Sequence, residues 1–412
     1  MSKIKKVMCG MVSICIASMM FQHILGAVFM YPVTARNGST AQSSISTMAQ
    51  PEFAFQSAAQ VLMEPQTGKI LYANNENERL LPASVTKIMT LLLLMEQIDA
   101  GKIAYTDKVT CSAKASQMGG SQIWFKEGEQ LSIDEALKAI CVVSANDVTM
   151  AVAEMIGGSE ENFVKMMNEK AATLGMENTH FMNPHGIDED DHYTTAKDIA
   201  IMSRELITKH PDILKYTSIW MDTLRDGTFA LTNTNNLIRF YEGANGLKTG
   251  STSKALFNLS STATRNGSTF IAVVMKAPSS AVRAEECKQL LNFAFSNYET
   301  KDIYSTGVVV DHKMINKNID KEAEIVVKNG ISSLVDKGSK LETTESITYD
   351  DTLFTAPVAK EQTVGKIEVF NKANNEKIGE SELIVKEDIP KSEFMDYWKK
   401  IMNLYVLNHT LS

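Results

Sequence analysis

Cysteine is scarce in this chain of 412 residues, five in all, and its placement excludes a disulfide framework. Cys9 and Cys15 fall in an apolar N-terminal run. That leaves Cys111, Cys141 and Cys287, an odd number with no close spacing. No Cys/His spacing of the kind that holds zinc occurs, so neither a metal nor any other cofactor is expected. Clusters of positive charge are missing too. The net charge is -8, and no basic stretch offers a phosphate footprint, which excludes nucleic acid as a partner. What the chain does have is 44% hydrophobic residues, ample for a packed core, and length for more than one domain.

Lys3, Lys5 and Lys6 precede Val7 to Met30, a stretch without formal charge. A basic segment before an apolar one is an export signal. The run also has the length of a membrane span, although Gln22 and His23 interrupt it. Val33-Thr34-Ala35 resembles a signal-peptidase site, so a signal over 1–35 is expected, followed by a Ser/Thr/Ala/Gln-rich linker over 36–51.

Gln60 to Met63 and Lys69 to Tyr72 flank Glu64-Pro65-Gln66-Thr67-Gly68, a strand–turn–strand pattern. It leads into Pro82-Ala83-Ser84-Val85-Thr86-Lys87, where a buried helix opens at Ser84 and runs through Leu91–Leu94. Residues three apart share a helix face, so Ser84 and Lys87 can touch. A serine becomes a nucleophile when a neighbouring base takes its proton, and a lysine kept neutral by burial or a second cation can be that base. Ser84 as a mere helix cap and Lys87 as a mere surface charge is the plainer alternative. Ser-x-x-Lys also occurs at Ser2–Lys5 and Ser251–Lys254, so the pattern alone does not decide.

Further along, Ser132-Ile133-Asp134-Glu135 is a capping box opening a helix. That helical pattern continues through Val142-Val143-Ser144-Ala145-Asn146-Asp147. Helices are expected over Thr149 to Ile156, Glu161 to Leu174, from Thr194 or Thr195 through Leu206, and over 281–296. His185 and His192 lie in a Pro/Gly-interrupted loop and are read as structural or solvated. Gly246-Leu247-Lys248-Thr249-Gly250-Ser251 precedes two strand-like runs ending at Met275, with Asn266-Gly267 as a hairpin turn. Beyond Glu299, Val308 to Val310, Glu324 to Val327, Ile347 to Tyr349, Lys366 to Val369 and Glu382 to Val385 are short strands. In the tail, Phe394, Trp398, Ile401, Met402 and Tyr405 share a helical face opposed by Asp396, Lys399, Lys400 and Asn403. Such a face lies in a membrane interface, or packs on the β domain.

Ser84-x-x-Lys87, then Ser144-x-Asn146, then Lys248-Thr249-Gly250, in that order, resembles the penicillin-recognising serine enzymes. The export signal, the β-rich second domain and the amphipathic tail narrow the likeness to D-alanyl-D-alanine carboxypeptidases among low-molecular-mass penicillin-binding proteins. Asn183-Pro184-His185-Gly186, Ala356-Pro357-Val358 and Val364 to Ile367 are similar to that family as well. The resemblance implies an α+β fold: a β-lactamase/transpeptidase-like catalytic domain over 52–299, a small all-β domain over 300–389 and an amphipathic helix over 390–412.

It further implies that Ser84 attacks the carbonyl of the penultimate D-alanine and Lys87 accepts its proton, while Lys248 helps to keep Lys87 neutral. Ser144 would protonate the leaving amine, and Asn146 would bond the substrate backbone. Lys248, Thr249 and Gly250 would line the opposite wall, where a bulky side chain at Gly250 would block an extended substrate. Backbone N–H groups of Ser84 and Ser251 would form the oxyanion hole, and Arg283 would help recognise the terminal carboxylate. Position 251 is Ser where several relatives carry His, which leaves the backbone donor intact. The implied partners are the peptidoglycan stem peptide, β-lactam antibiotics as covalent inhibitors, and the outer face of the bacterial cell membrane. A class A β-lactamase would add an E-x-x-L-N stretch between Asn146 and Lys248, and none occurs. A non-catalytic muropeptide or penicillin sensor would not need Ser84, Lys87 and Lys248 intact.

Overall fold

The computed structural model describes residues 52–319 and 322–410, with the side chains of 404–410 left aside. The export signal and the linker expected over 1–51 lie outside the described residues, as does the side chain of Tyr405.

The chain opens with strands β1 (Ala59–Met63) and β2 (Ile70–Asn74), joined by the Glu64–Gly68 turn. A 3-10 turn over Ala83–Thr86 then feeds helix α1 (Lys87–Asp99). The helix proper thus begins at Lys87, and Ser84 sits in the tighter turn before it. Next come β3 (Lys108–Thr110), the single turn α2 (Ala113–Ser116) and β4 (Gln130–Ser132). Helix α3 (Ile133–Val143) opens on Ser132 and Glu135, whose side chains each bond the other's backbone as the capping box requires. The helix expected to reach Asn146 stops earlier, since Ser144 takes φ +64° and ends α3, and the neighbour expected over Thr149 to Ile156 begins already at Asn146 as α4 (Asn146–Gly157). Helices α5 (Glu160–Thr173), α6 (Ala196–Lys209, capped by Thr195) and α7 (Leu214–Thr217) follow. A hairpin of β5 (Met221–Leu224) and β6 (Phe229–Thr232) precedes the short α8 (Leu237–Phe240).

Where two strands were expected up to Met275 there are three: β7 (Ala244–Thr252), β8 (Leu256–Arg265) and β9 (Ser268–Ala277). Lys248-Thr249-Gly250 lies inside β7 rather than ahead of a strand. Asn266-Gly267 makes the β8–β9 turn, with Arg265 paired to Ser268. Helix α9 (Ser280–Asn297) closes this part of the chain.

These strands form one antiparallel sheet in the order β2-β1-β9-β8-β7. Side chains alternate across a strand, and β9 uses both faces. Ile271, Val273 and Met275 join the core with α1 and α6, while Phe270, Ala272 and Val274 pack with Leu290, Leu291 and Ala294 of α9. Both faces of β9 are covered, so it reads as a nearly unbroken apolar run from Phe270 to Met275. Helix α1 is buried from Lys87 to Met95 at the centre of the larger core.

The second domain begins with β10 (Tyr298–Tyr304), then β11 (Val309–Met314), β12 (Glu322–Val327), β13 (Ile331–Asp336), β14 (Thr343–Tyr349), β15 (Thr363–Asn371) and β16 (Lys377–Val385). Five of them form the sheet β11-β12-β16-β15-β14, and β10 pairs with β13. The last two were not legible as strands in the sequence. Helix α10 (Phe394–Thr410) ends the chain, with Phe394, Trp398, Ile401 and Met402 exposed. No helix among the described residues is long and apolar enough to cross a membrane.

Candidate active site

Ser84 stands partly open on its 3-10 turn, one turn before Lys87, which is fully buried. Lys87 Nζ meets three oxygens: Ser84 Oγ at 2.9 Å, Asn146 Oδ1 at 2.7 Å and the His185 carbonyl at 2.7 Å. The carbonyl can only accept a hydrogen bond. The Asn146 amide is oriented by its Nδ2, which donates to Gly119 O at 2.7 Å, so its Oδ1 also accepts from Lys87. A neutral amine has two N–H groups, and these two acceptors use both. Its lone pair then faces Ser84 Oγ.

The electrostatics favour that neutral form. Burial holds the Lys87 pKa well below the ordinary lysine value, the positive charge of Lys248 adds to the effect, and Asp147 opposes it. Lys248 is itself buried, donates to Thr249 O at 2.9 Å and is pushed down to about 7. Burial is the main cause there, with the Cys141 thiol opposing and Arg283 reinforcing.

Three glycine and asparagine contacts explain why the backbone can bring these groups together. Gly250 of β7 presses on the nucleophile turn: a Cβ there would stand 2.7 Å from Pro82 O, 2.9 Å from Val85 N and 3.0 Å from Ser84 N. This corrects the expectation that Gly250 makes room for substrate, since the close neighbour is the protein's own backbone. Asn258 of β8 reaches over with Nδ2 to Leu81 O at 2.8 Å and Pro82 O at 3.0 Å. On the other side, Gly186 has φ +86°, and a Cβ would overlap Ala83 O and come within 2.9 Å of Thr86 Oγ1. Only glycine fits both that angle and that contact.

The loop carrying Gly186 is itself tied down. Asn183 Oδ1 accepts from Gly186 N at 2.7 Å, and Thr90 Oγ1 donates to Pro184 O at 2.7 Å. Neither histidine of the region is solvated. His185 Nδ1 accepts from Ile187 N, and His192 Nδ1 accepts from Met182 N, which leaves His192 Nε2 to donate to Thr86 Oγ1 at 2.8 Å. Burial keeps both neutral, His185 at about 3 (Lys87 and His192 contributing) and His192 at about 4.

Ser144 occupies the left-handed corner between α3 and α4, and its Oγ is buried without a hydrogen-bond partner. Thr249 Oγ1 shares a hydrogen bond with Thr234 Oγ1 at 2.7 Å. Ser251 is exposed, one residue past the Gly250 contact. Arg283, in the first turn of α9, donates to Asn258 O at 3.1 Å and lies over the Phe257 ring, while its Nε is buried without a partner.

Three contributors were missed in the sequence. The His185 carbonyl could not be found, because a backbone group carries no residue signature. Asn258 left a faint one, an amide between Phe257 and Leu259 in a strand. Asp147 is fully buried and accepts from Ile123 N at 3.0 Å and Phe125 N at 2.9 Å, anchoring the wall beside Asn146.

Residues 45–279 match the family described as D-alanyl-D-alanine carboxypeptidase, and 298–391 match the penicillin-binding protein 5 C-terminal domain. The chain is 43% identical over 355 residues to D-alanyl-D-alanine carboxypeptidase DacF of Bacillus subtilis (strain 168), spanning 85% of this chain and 90% of the relative. It is 32% identical to D-alanyl-D-alanine carboxypeptidase DacC of Escherichia coli (strain K12), over 84% and 87%. Penicillin-binding protein 5 of Haemophilus influenzae superposes with a TM-score of 0.64 at 31% identity, over 83% of this chain and 99% of that one. Ampicillin-bound penicillin-binding protein D2 of Listeria monocytogenes superposes at 0.55 and 28% identity, over 60% of this chain and all of its own.

Proposed function

The chain belongs to the D-alanyl-D-alanine carboxypeptidase family, and from that premise we propose a serine mechanism that removes the terminal D-alanine of peptidoglycan stem peptides through an acyl-enzyme on Ser84. One observation carries the assignment: a fully buried lysine whose lone pair is left facing a serine hydroxyl 2.9 Å away. Ser84 Oγ attacks the carbonyl carbon of the penultimate D-alanine as its proton passes to Lys87. The negative charge developing on the carbonyl oxygen is taken by backbone N–H groups at Ser84 and Ser251. Ser144 Oγ, free of any protein partner, delivers its proton to the leaving D-alanine nitrogen and takes in exchange the proton held by Lys87, which is thereby neutral again. Water then attacks the ester, its proton returning through Lys87, and Ser84 is regenerated. Lys248, Thr249 and Arg283 hold the substrate's terminal carboxylate, with guanidinium and ammonium supplying the charge. Asn146 steadies Lys87 and offers its remaining amide proton to the substrate backbone.

A non-catalytic sensor gains nothing from a lysine buried until it discharges, so the enzyme reading stands. By the same reading β-lactams acylate Ser84, and the protein is exported and works at the outer face of the membrane. The exposed apolar face of α10 supports its contact with that surface. Protein treated with benzylpenicillin should carry one adduct, located on Ser84 by mass spectrometry of its peptides. Ser84→Ala should lose both the adduct and D-alanine release while keeping the fold. An adduct on any other serine would overturn the assignment.

A further inference from the structure

Trp124 leaves 65% of its surface in solvent, yet it is held firmly. Its backbone has φ +54°, a region in which a bulky residue is a genuine outlier. The flanking N–H groups of Ile123 and Phe125 both donate to one oxygen, Asp147 Oδ2. From the other side Arg225 donates through Nη1 to Ile123 O at 2.9 Å and pairs with Glu129 at 2.7 Å. Phe229 of β6 meets the indole edge to face, ring centroids 5.9 Å apart, and carries the Arg225 guanidinium on its own ring. Strain that the surroundings over-determine is a mark of function. Here it turns an aromatic face outward on a stiff frame.

The position of that face is informative. The loop 119–125 is a wall of the active site: Gly119 O and Ser121 O both accept from Asn146, and Asp147 is its chain neighbour. An extended peptide advances about 3.3 Å per residue. A substrate with its reacting carbonyl at Ser84 therefore passes this wall with the residues just before the scissile bond, and the sugars attached at its far end lie further out. Arg225 and Glu129 neutralise each other, so the exposed ring has no charge to offer a carboxylate. It suits a methylene-rich side chain.

The geometry points to Trp124, backed by Phe229, as the subsite for the aliphatic portion of the stem peptide on the N-terminal side of D-alanyl-D-alanine. This rests on the function proposed above. The test compares Trp124→Ala and Trp124→Phe with the parent on acetyl-D-alanyl-D-alanine, a free pentapeptide stem, the same stem on its disaccharide, and benzylpenicillin. Trp124→Ala is expected to lower kcat/KM for the free stem about tenfold, mainly through KM. It should leave the short dipeptide and penicillin acylation within twofold, and Trp124→Phe should recover most of the loss. Equal losses on all four substrates would mean that the ring only braces Asn146, and the subsite would be refuted. No loss on the free stem would refute it too, and a loss confined to the disaccharide-bearing stem would reassign the ring to glycan. Failure of the underlying reading would show separately, as a parent protein that releases no D-alanine and takes no adduct on Ser84.

Discussion

Gly186→Ala removes no functional side chain, yet it should nearly silence the active site. The added methyl would overlap Ala83 O and crowd Thr86 Oγ1 at 2.9 Å. Normal carbon–oxygen contact requires the loop to retreat by about 1 Å or more. Holding alanine in the left-handed region costs roughly 1–2 kcal/mol. Retreat also carries the His185 carbonyl away from Lys87 Nζ, now 2.7 Å distant, and a buried donor left unsatisfied costs about 1–3 kcal/mol. The combined penalty, roughly 2–5 kcal/mol, is felt at the base itself. A misplacement of about 1 Å is worth around a hundredfold in rate. The assay is the second-order rate of labelling by a fluorescent penicillin, read beside circular dichroism and a thermal melt. Gly267→Ala is the control: its φ is +80°, with nothing within 4 Å of the new methyl. That variant should pay only the backbone strain and label at the parental rate. If folded Gly186→Ala labelled within threefold of the parent, the carbonyl's role in orienting Lys87 would be refuted.

Acylation should rise with pH through an apparent pKa well below that of free lysine, about 10.4, and that value belongs to Lys87 and Lys248 together. Lys87→Arg should be nearly inactive, and Lys248→Arg should keep more acylation, since guanidinium does not deprotonate in the working range; the reverse order would exchange their roles. His185 and His192 titrate at about 3 and 4 in the folded protein, so between these values and about 6.5 the unfolded chain binds more protons. Stability is therefore full above that pH and falls as pH drops, by up to about 2–3 kcal/mol per pH unit for the two together. Melting curves between pH 7 and 5 should be flatter for His192→Gln, and an unchanged slope would contradict a neutral buried His192. Removing residues 390–412 should release signal-cleaved protein from vesicles without changing turnover of a soluble peptide; unchanged vesicle binding would count against α10 as the anchor.

Sequence patterns gave away the elements whose physics is local. The Ser132–Glu135 capping box, the Asn266-Gly267 turn and the Thr195 cap each depend on neighbours in the chain, and each is found where expected. The meeting of Ser84 with Lys87 was legible for the same reason, being a contact within one turn. What was hidden depends on distant backbone. The left-handed corner at Ser144 is disguised by helical residues on both sides, and β10 and β13 are too polar to stand out. The reason for Gly250 was misread because its nearest neighbour, Pro82, lies 168 residues earlier.

The grip of Gly186 and Gly250 on either side of the nucleophile turn also bears on how the molecule comes into being. A growing chain presents Ser84 and Lys87 early, but the lysine then stands in water as an ordinary charged ammonium. The groups that enclose and discharge it, at 146, 185 and 248, arrive later in the order of synthesis, and β8 and β9, through which β7 joins the sheet, arrive later still. Folding of the residues up to Ala277 is thus the activating event. No fragment ending short of β9 possesses a nucleophile, and the unfolded chain is chemically inert until its sheet has closed.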